Sequence, residues 1–333
     1  MSKPKFAMYW AAACGGCEIA VLNIHEGILD VDANFDIVFW PVAMDAKYKD
    51  VEAMPDKSIT LTLFNGAIRN DENAHIAQML RAKSQVLVAF GACACEGGIP
   101  GLANLSSKQA ILDTVFSTVS TDNPKDLRPQ TTFKMPEGTI HIPEMYETVK
   151  SLDQIVPVDY YMPGCPPESN QIAAVVGLVI KALKGEAQLP PPGAVIGASK
   201  STVCDECKRT RGEKTITAFT RMATFQPRED QCLLEQGILC SGMATRGGCD
   251  ARCPTANMPC IGCYGPAPDV IDQGARMMSA VASVVASKDP QEIEKIMSGI
   301  VDPAGTFYRF SLPHSLMRHA KSNTEIRDWG LNL

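Results

Sequence analysis

The sequence predicts an α/β domain built on a parallel β-sheet, followed by a largely irregular domain that is organised by cysteine residues and ends in helices. In the first half, short apolar segments alternate with helix-like segments, and this order favours a parallel sheet covered on both faces. In the second half, eight cysteines crowd between Cys204 and Cys263 among glycines and prolines, with little periodicity. A segment of this kind takes its structure from what its cysteines bind.

The elements of the first half follow from their apolar patterns. Short apolar or aromatic runs predict strands at residues 5–10, 35–42, 59–66, 85–91 and 158–164. Helical spacing of apolar residues predicts helices at residues 17–31, 71–83 and 167–185, and further helices at 267–287 and 290–301. We expect Asp71 to be the N-cap of the second helix and Gly185 to end the third.

Three consecutive prolines, Pro190 to Pro192, cannot continue a helix and favour extended chain. We therefore expect two domains, residues 1–189 and 190–333, and a length of 333 residues suits two.

Charge and hydropathy exclude two classes of partner. A net charge of −6 gives no basic surface for nucleic acid. The longest apolar run, residues 172–183, is interrupted by Lys181 and is too short to span a membrane. The first residues lack the features of an export signal, so we expect a cytoplasmic protein.

The cysteine count indicates metal ligation. Thirteen cysteines cannot all pair within one chain, and disulfides are rare in a reducing compartment. Metal binding is therefore the better interpretation, since disulfides would need an export signal.

Each early cysteine follows a predicted strand, and the ends of parallel strands share one edge of a sheet. We expect the thiols at this edge to converge on one site, formed by Cys14, Cys17, Cys93 and Cys165. Cys95 could compete with Cys93, but Gly91 places the tight turn next to Cys93, so Cys95 is expected to be a buried thiol.

The eight later cysteines divide by chain order into two sets of four. One set is Cys204, Cys207, Cys232 and Cys240, and the other is Cys249, Cys253, Cys260 and Cys263. The assignment of Cys240 and Cys249 stays open. Iron–sulfur clusters are favoured over zinc because a zinc ribbon needs its two C-x2-C pairs closer together, and because the first site would stay unexplained.

Several motifs together resemble the small, electron-transferring subunit of [NiFe] hydrogenases. These motifs are CGGCE, GACACEGGIPGLANL, PGCPPE and a cysteine-rich region ending in PCIGCYGP, in the order of that family. The resemblance is strongest to the cytoplasmic, methyl viologen-reducing (F420-non-reducing) group that partners heterodisulfide reductase. The F420-reducing group stays open as an alternative.

The resemblance implies a flavodoxin-like first domain and three [4Fe–4S] clusters. Cys14, Cys17, Cys93 and Cys165 would hold the proximal cluster, the set from Cys249 to Cys263 the middle one, and the set from Cys204 to Cys240 the distal one. Glu18 matches a glutamate implicated in proton movement, although an acid there also suits a helix N-terminus. Electrons from H2, split at a nickel-bearing large subunit, would pass to an iron–sulfur or flavin partner such as a heterodisulfide reductase complex.

Three other functions compete with this one, and the C-x2-C of Cys14 and Cys17 decides against the first. A cluster subunit of NADH:quinone oxidoreductase shares the PGCPP loop, but it has adjacent cysteines where this chain has the C-x2-C of Cys14 and Cys17. The chain could also serve a redox complex whose large subunit has lost its nickel. A zinc-stabilised interaction module with no redox role is the alternative of another class.

Overall fold

The computed structural model describes residues 3–212 and 216–318. Ten strands and twelve α-helices lie within these ranges. The strands are β1 Lys5–Trp10, β2 Asp36–Phe39, β3 Ile59–Asn65, β4 Ile68–Asn70, β5 Ser84–Phe90, β6 Thr132–Met135, β7 Gly138–His141, β8 Met145–Lys150, β9 Tyr160–Met162 and β10 Ala194–Val195. The helices are α1 Gly16–Leu22, α2 Gly27–Asn34, α3 Tyr48–Glu52, α4 Asp71–Lys83, α5 Ala92–Glu96, α6 Lys108–Ser117, α7 Ser169–Leu183, α8 Val203–Glu206, α9 Arg252–Thr255, α10 Gln273–Ala282, α11 Pro290–Met297 and α12 Pro303–Phe307.

The first half is built on a six-stranded sheet in the order β10-β9-β5-β3-β1-β2. Every pairing in this sheet is parallel, so the predicted α/β class with a parallel sheet is confirmed. Strands β4 and β8 form a small antiparallel sheet beside it, and β6 and β7 form a hairpin.

The sheet separates two apolar cores, because successive strand residues point to opposite faces. In β1, Ala7 and Tyr9 join a core that includes residues of α4, whereas Phe6 and Met8 join a core that includes residues of α1, α2 and α7. Burial of both faces is what a parallel sheet requires.

Two local predictions are wrong. The helix expected over residues 17–31 is broken between α1 and α2, where His25 takes a positive φ of 55°. The N-cap of α4 is Asn70 and not Asp71, because the Asn70 side chain accepts a hydrogen bond of 2.8 Å from the Asn73 amide. Asp71 instead accepts from the Glu144 amide at 2.9 Å, which ties the helix start to the approach to β8.

The second half has a core of its own with short helices and irregular chain. Strand β10 lies beyond the predicted boundary at 189–190 and pairs with β9, so the linker extends the first sheet. The end of the predicted C-terminal helical tail, residues 319–333, lies outside the described residues. No helix of the described residues has the length and apolar character to cross a membrane.

The chain returns to the first domain at residues 310–318. Gln154 donates a hydrogen bond of 2.9 Å to the Pro313 carbonyl. The Pro313 ring occupies a slot beside Gly97 and Gly101, where a Cβ on Gly101 would lie 2.5 Å from the ring. Only residues without side chains leave room for this ring.

Candidate metal centres

The first thiol set lies at the carboxyl edge of the sheet. Cys14 follows β1, Cys93 lies in α5 directly after β5, and Cys165 follows β9. Gly15, with φ of 84°, turns the chain so that Cys17 falls in the first turn of α1. Three parallel strands thus bring the four thiols to one place.

Mutual electrostatics shows that these thiols are neighbours. Burial raises the pKa of Cys17, and the thiols of Cys93, Cys165 and Cys14 raise it further. Burial, with Cys165 and Cys14, raises the pKa of Cys93 to about 12. Cys14 and Cys165 are exposed, so the set faces the protein surface on one side.

Glycines leave space around the sulfurs. A Cβ on Gly98 would lie 2.6 Å from Cys93 Sγ, and a Cβ on Gly91 would collide with Cys17 Sγ. Both glycines have positive φ, which L side chains rarely adopt. The Gly16 amide donates a hydrogen bond of 3.4 Å to Cys14 Sγ.

Cys95 points away from this set. Its thiol is 2% exposed and donates a hydrogen bond of 3.3 Å to the Ala89 carbonyl, inside the apolar core under α4. It therefore has the environment of a buried structural thiol.

Glu18 is buried beside the first set. The Trp40 indole donates to its Oε2 atom, while its Oε1 atom has no hydrogen-bond partner among the described residues. Burial raises the pKa of Glu18, and the hydrogen bond from Trp40 opposes this rise. Both side-chain polar atoms of Asn65 are also buried without a hydrogen-bond partner in the described ranges.

The second thiol set lines one pocket of the later domain, with Arg209 and Arg211 in its wall; its cysteines are Cys204, Cys207, Cys232 and Cys240. Burial and the neighbouring thiols, Cys240 foremost, raise the pKa of Cys204 to about 12. Burial, with smaller effects of Cys232 and Cys207, raises the pKa of Cys240 to about 11.

The third set follows in the chain. Burial, then the thiols of Cys249, Cys165 and Cys253, raise the pKa of Cys263 to about 12. The pKa of Cys260 is raised by burial, by Cys240 and by Cys263. The expected members of this set are therefore electrostatic neighbours.

The three sets touch one another in order. The thiol of Cys165, in the first set, raises the pKa of Cys263 in the third. The Cys260 amide of the third set donates a hydrogen bond of 3.3 Å to Cys240 Sγ of the second. The spatial order is therefore first, third, second, which differs from the order along the chain.

These thiols suit [4Fe–4S] clusters, which bind four cysteine thiolates each. Buried thiols with raised pKa values ionise to thiolates only when a positively charged group, such as a metal cluster, lies among them. Among residues 3–212 and 216–318, no three Cys, His, Asp or Glu side chains stand close enough to hold a single metal ion.

Arg209 was not anticipated from the sequence. It is 9% exposed and donates to the carbonyls of Pro254 at 2.9 Å and of Arg228 at 2.7 Å, and to Asn257 Oδ1 at 2.6 Å. These bonds join three separate loops around the thiols. Its place in a basic stretch, Lys208 to Arg211, directly after Cys207 was the only signal in the sequence.

A second unanticipated group joins the two halves. His314 lies 3.0 Å from Asp153 and 3.4 Å from Glu96. The Asp153 hydrogen bond and Glu96 raise the pKa of His314 to about 9, against a smaller effect of burial. Residues this far apart in the chain show no pattern in sequence.

Comparison with known proteins gives a family profile first. Residues 14–179 match the family described as NADH ubiquinone oxidoreductase, 20 Kd subunit. The match ends before the second and third thiol sets begin, so it describes only the first domain.

Relatives over nearly the full length are hydrogenase subunits. The chain is 40% identical over 320 residues to an F420-non-reducing hydrogenase iron-sulfur subunit of Archaeoglobus profundus, covering 94% of this chain and 97% of the relative. It is 35% identical over 324 residues to an F420-non-reducing hydrogenase subunit of Methanothermobacter marburgensis, covering 95% and 96%. It is 25% identical over 266 residues to the delta subunit of sulfhydrogenase 2 of Pyrococcus furiosus, covering 80% and 87%.

A solved structure has the same fold. A chain of the [NiFeSe] hydrogenase from Desulfovibrio vulgaris Hildenborough aligns with a TM-score of 0.51 at 17% identity, covering 80% of this chain and 94% of that one.

Proposed function

The chain belongs to the F420-non-reducing hydrogenase small subunits of the [NiFe] hydrogenase family, and from this premise we propose that it conducts electrons through three [4Fe–4S] clusters. It is part of an oxidoreductase complex, in which small subunits pair with a hydrogenase large subunit. The electrons would come from H2 oxidation at that subunit.

The observation that carries this proposal is the contact between neighbouring thiol sets. Cys165 adjoins Cys263, and Cys260 adjoins Cys240, so one continuous series of thiols crosses the molecule. A bound [4Fe–4S] cluster supplies one-electron redox chemistry. In this proposal Cys14, Cys17, Cys93 and Cys165 hold the proximal cluster, and the chain keeps the route short and away from water.

The neighbouring thiols named above support the proposal for the other ligands. Cys249, Cys253, Cys260 and Cys263 would hold the middle cluster, and Cys204, Cys207, Cys232 and Cys240 the distal one. Arg209 and Arg211 in the wall of the distal pocket would offset the negative charge of four thiolates.

Glu18 would move protons near the large subunit. Trp40 donates to its Oε2 atom, and burial raises the pKa of the carboxyl group, so a proton binds to it more readily than to an exposed glutamate. Replacing Glu18 by Gln should lower H2 turnover strongly and leave iron content unchanged. The matched control is Glu168→Gln, which removes a carboxylate next to Arg252.

Cysteine variants test the cluster assignment. Cys93→Ser should remove about four irons, those of one [4Fe–4S] cluster, and its electron paramagnetic resonance signal. Cys95→Ser should leave the iron content of the purified subunit unchanged. Iron loss from Cys95→Ser but not from Cys93→Ser would refute the proximal assignment, and a colourless zinc protein would refute the whole proposal.

For the electron acceptor we propose an iron–sulfur protein and a heterodisulfide reductase complex. The names of the relatives, F420-non-reducing hydrogenase subunits, support this over F420 reduction. We propose the cytoplasm as location, because thirteen free thiols suit a reducing compartment. Purification of the native complex, with identification of its subunits and an assay of both acceptors, tests these points.

A further inference from the structure

Residues 106–144 form an arm on the first domain. The arm contains α6, none of whose residues is buried, and the β6–β7 hairpin, whose eight residues are all exposed. An isolated two-stranded hairpin is marginally stable in water, so this arm needs support from elsewhere.

The base of the arm is fixed to the body. Lys108 donates through Nζ to the Met145 carbonyl at 2.8 Å and through its amide to Glu147 Oε1 at 3.0 Å. Glu144 and Asp71 exchange backbone and side-chain hydrogen bonds of 3.2 and 2.9 Å. Both ends of the arm are therefore held in place.

The middle of the arm is also ordered. Arg128 forms ion pairs of 3.0 Å with Asp113 and Asp126, and its guanidinium lies 5.9 Å from the centre of the Phe116 ring. Asn123 accepts from the Leu127 amide at 2.9 Å. These contacts fix the segment that leads from α6 toward the hairpin, and such preorganisation lowers the entropy cost of binding.

The hairpin has one apolar and one polar face. Phe133 lies directly opposite Ile140 in the ladder, so these side chains share a face with Met135. The three are 55%, 52% and 41% exposed. On the other face, Thr132 contacts His141 at 3.2 Å. An exposed apolar face on an ordered hairpin indicates a docking surface.

The position of the base identifies the partner. Asn104 bonds both the amide and the carbonyl of Val149, at 2.7 and 3.0 Å, and so closes the base of the arm. Val149 packs in a small buried cluster with Ala67 and Cys93, against Ala13. The arm is therefore rooted on the proximal thiol set itself.

The surface around that set is apolar as well. Trp10 is 41% exposed, Ile19 57% and Ile99 46%, near the exposed thiols of Cys14 and Cys165. The first cluster of the route must face the subunit that delivers the electrons. A partner seated on this surface is continuous with the base of the arm.

We propose that the apolar face of the β6–β7 hairpin docks on the hydrogenase large subunit and clasps it over the proximal thiols. This inference rests on the proposed function for the identity of the partner. The hairpin face, Phe133, Met135 and Ile140, supplies the apolar contact, and Arg128 holds the preceding segment of the arm together.

The test is purification of the native complex through a tag on this chain. The double variant Phe133→Asp/Ile140→Asp should retain about tenfold less large subunit than the unmodified chain, because charge would enter an apolar contact. The matched control, Thr132→Asp/Thr139→Asp, places the same charges on the hairpin away from the apolar pair and should retain it fully. Iron content of both variants should equal that of the unmodified chain, which shows that the body is folded.

Other outcomes separate this inference from the proposed function. Full retention of large subunit by the Phe133/Ile140 variant overturns the docking site and leaves the proposed function standing. Equal loss in both double variants also overturns it, since the effect would not be specific to the apolar face. A photo-crosslinker at position 133 that reaches a second copy of this chain, or an acceptor subunit, overturns the choice of partner. Absence of any large subunit from the unmodified complex refutes the proposed function.

Discussion

The two halves of the molecule are stabilised in different ways. In the first half, buried apolar side chains cover both faces of a six-stranded sheet, and of its four site thiols Cys17 belongs to one of these cores while Cys14 and Cys165 are exposed at the edge. In the second half, Cys240 and Cys260 are themselves members of the core, and Cys207, Cys232 and Cys249 pack against it. The first half can therefore fold on its apolar contacts, whereas the second depends on what its thiols bind.

Removal of iron should produce the largest difference in stability between the two halves. After treatment with a chelator under reducing conditions, we expect residues 201–212 and 216–265 to lose protection from hydrogen exchange almost completely, because their thiols lose their common ligand. Strands β1, β3 and β5 should keep theirs. Mass spectrometry of the exchanged peptides measures both. Equal loss in the two halves would show that the sheet also needs metal.

A glycine pair sharpens the contrast within the first half. Gly91→Ala puts a Cβ against Cys17 Sγ at a positive φ, so we expect loss of about four irons with the sheet intact. Gly177→Ala is the matched control, since nothing lies within 4 Å of the added Cβ and the residue is inside α7. It should raise the free energy of unfolding by about 0.5–1 kcal/mol. Iron assays and denaturant titrations measure the two effects.

Arg209 tests how far the protein itself holds the second half together. Arg209→Met leaves the carbonyls of Arg228, Gln231 and Pro254, in two loops, without their donor and should cost about 2 kcal/mol. Iron release to a chelator should then be about thirtyfold faster. Arg276→Met, on the exposed side of α10, is the control and should release iron at the normal rate. An unchanged rate in Arg209→Met would assign the stability of this half to its clusters alone.

The contact between the halves should weaken as pH rises. The carboxylates of Asp153 and Glu96 raise the pKa of His314 from 6.5 to about 9, so its stabilising effect is complete below 6.5 and lost as pH passes 9. Burial raises the pKa of Glu96 to about 7. The contribution of Glu96 to stability is therefore also lost as the pH rises, between 4.5 and 7. Asp153 has a lowered pKa, because hydrogen bonds from His314 and Ser151 outweigh burial, and stays ionised throughout.

We therefore expect the denaturant concentration at the unfolding midpoint to decrease as the pH is raised from 6.5 to 9. In His314→Gln this slope should be much smaller. Denaturant titrations at three pH values measure it, with His75→Gln as the control, since His75 pairs with Glu52 at the surface of the first half. Parallel pH profiles of the His314 variant and the unmodified chain would contradict this role.

The smallest expected effect concerns a helix cap in the first half. Asn70→Ala removes the hydrogen bond to the Asn73 amide and should lower the free energy of unfolding by about 1 kcal/mol. Asp71→Ala should have a different effect, loosening the approach to β8, because Asp71 binds the Glu144 amide. Denaturant titrations compare the two variants, and iron content should be normal in both.

The sequence predicted the first half well because its signals are local and repeated. Apolar runs marked five of the six strands of the main sheet, and the parallel order brought Cys14, Cys93 and Cys165 to one edge. The break at His25 was missed, since apolar residues continue on either side of it. The hairpin of the arm was missed because its apolar residues are exposed and serve no core within the described part of this chain.

The second half could be predicted only through its cysteines. Chain order grouped them in fours, but the spatial order, with the set from Cys249 to Cys263 in the middle, follows from contacts such as that of Cys260 with Cys240. Arg209 joins loops that are distant in sequence, and no pattern of spacing reveals such a residue.

The slot for Pro313 has a consequence for the order in which the protein folds during synthesis. A chain is synthesised from its amino terminus, so Gly97 and Gly101 emerge long before the ring that fills the space beside them. The cysteines of both halves are likewise synthesised before the Pro313 ring can pack against the first domain. The loop from Gly97 to Gly101 can therefore reach its final packing only after residues 310–318 have been synthesised.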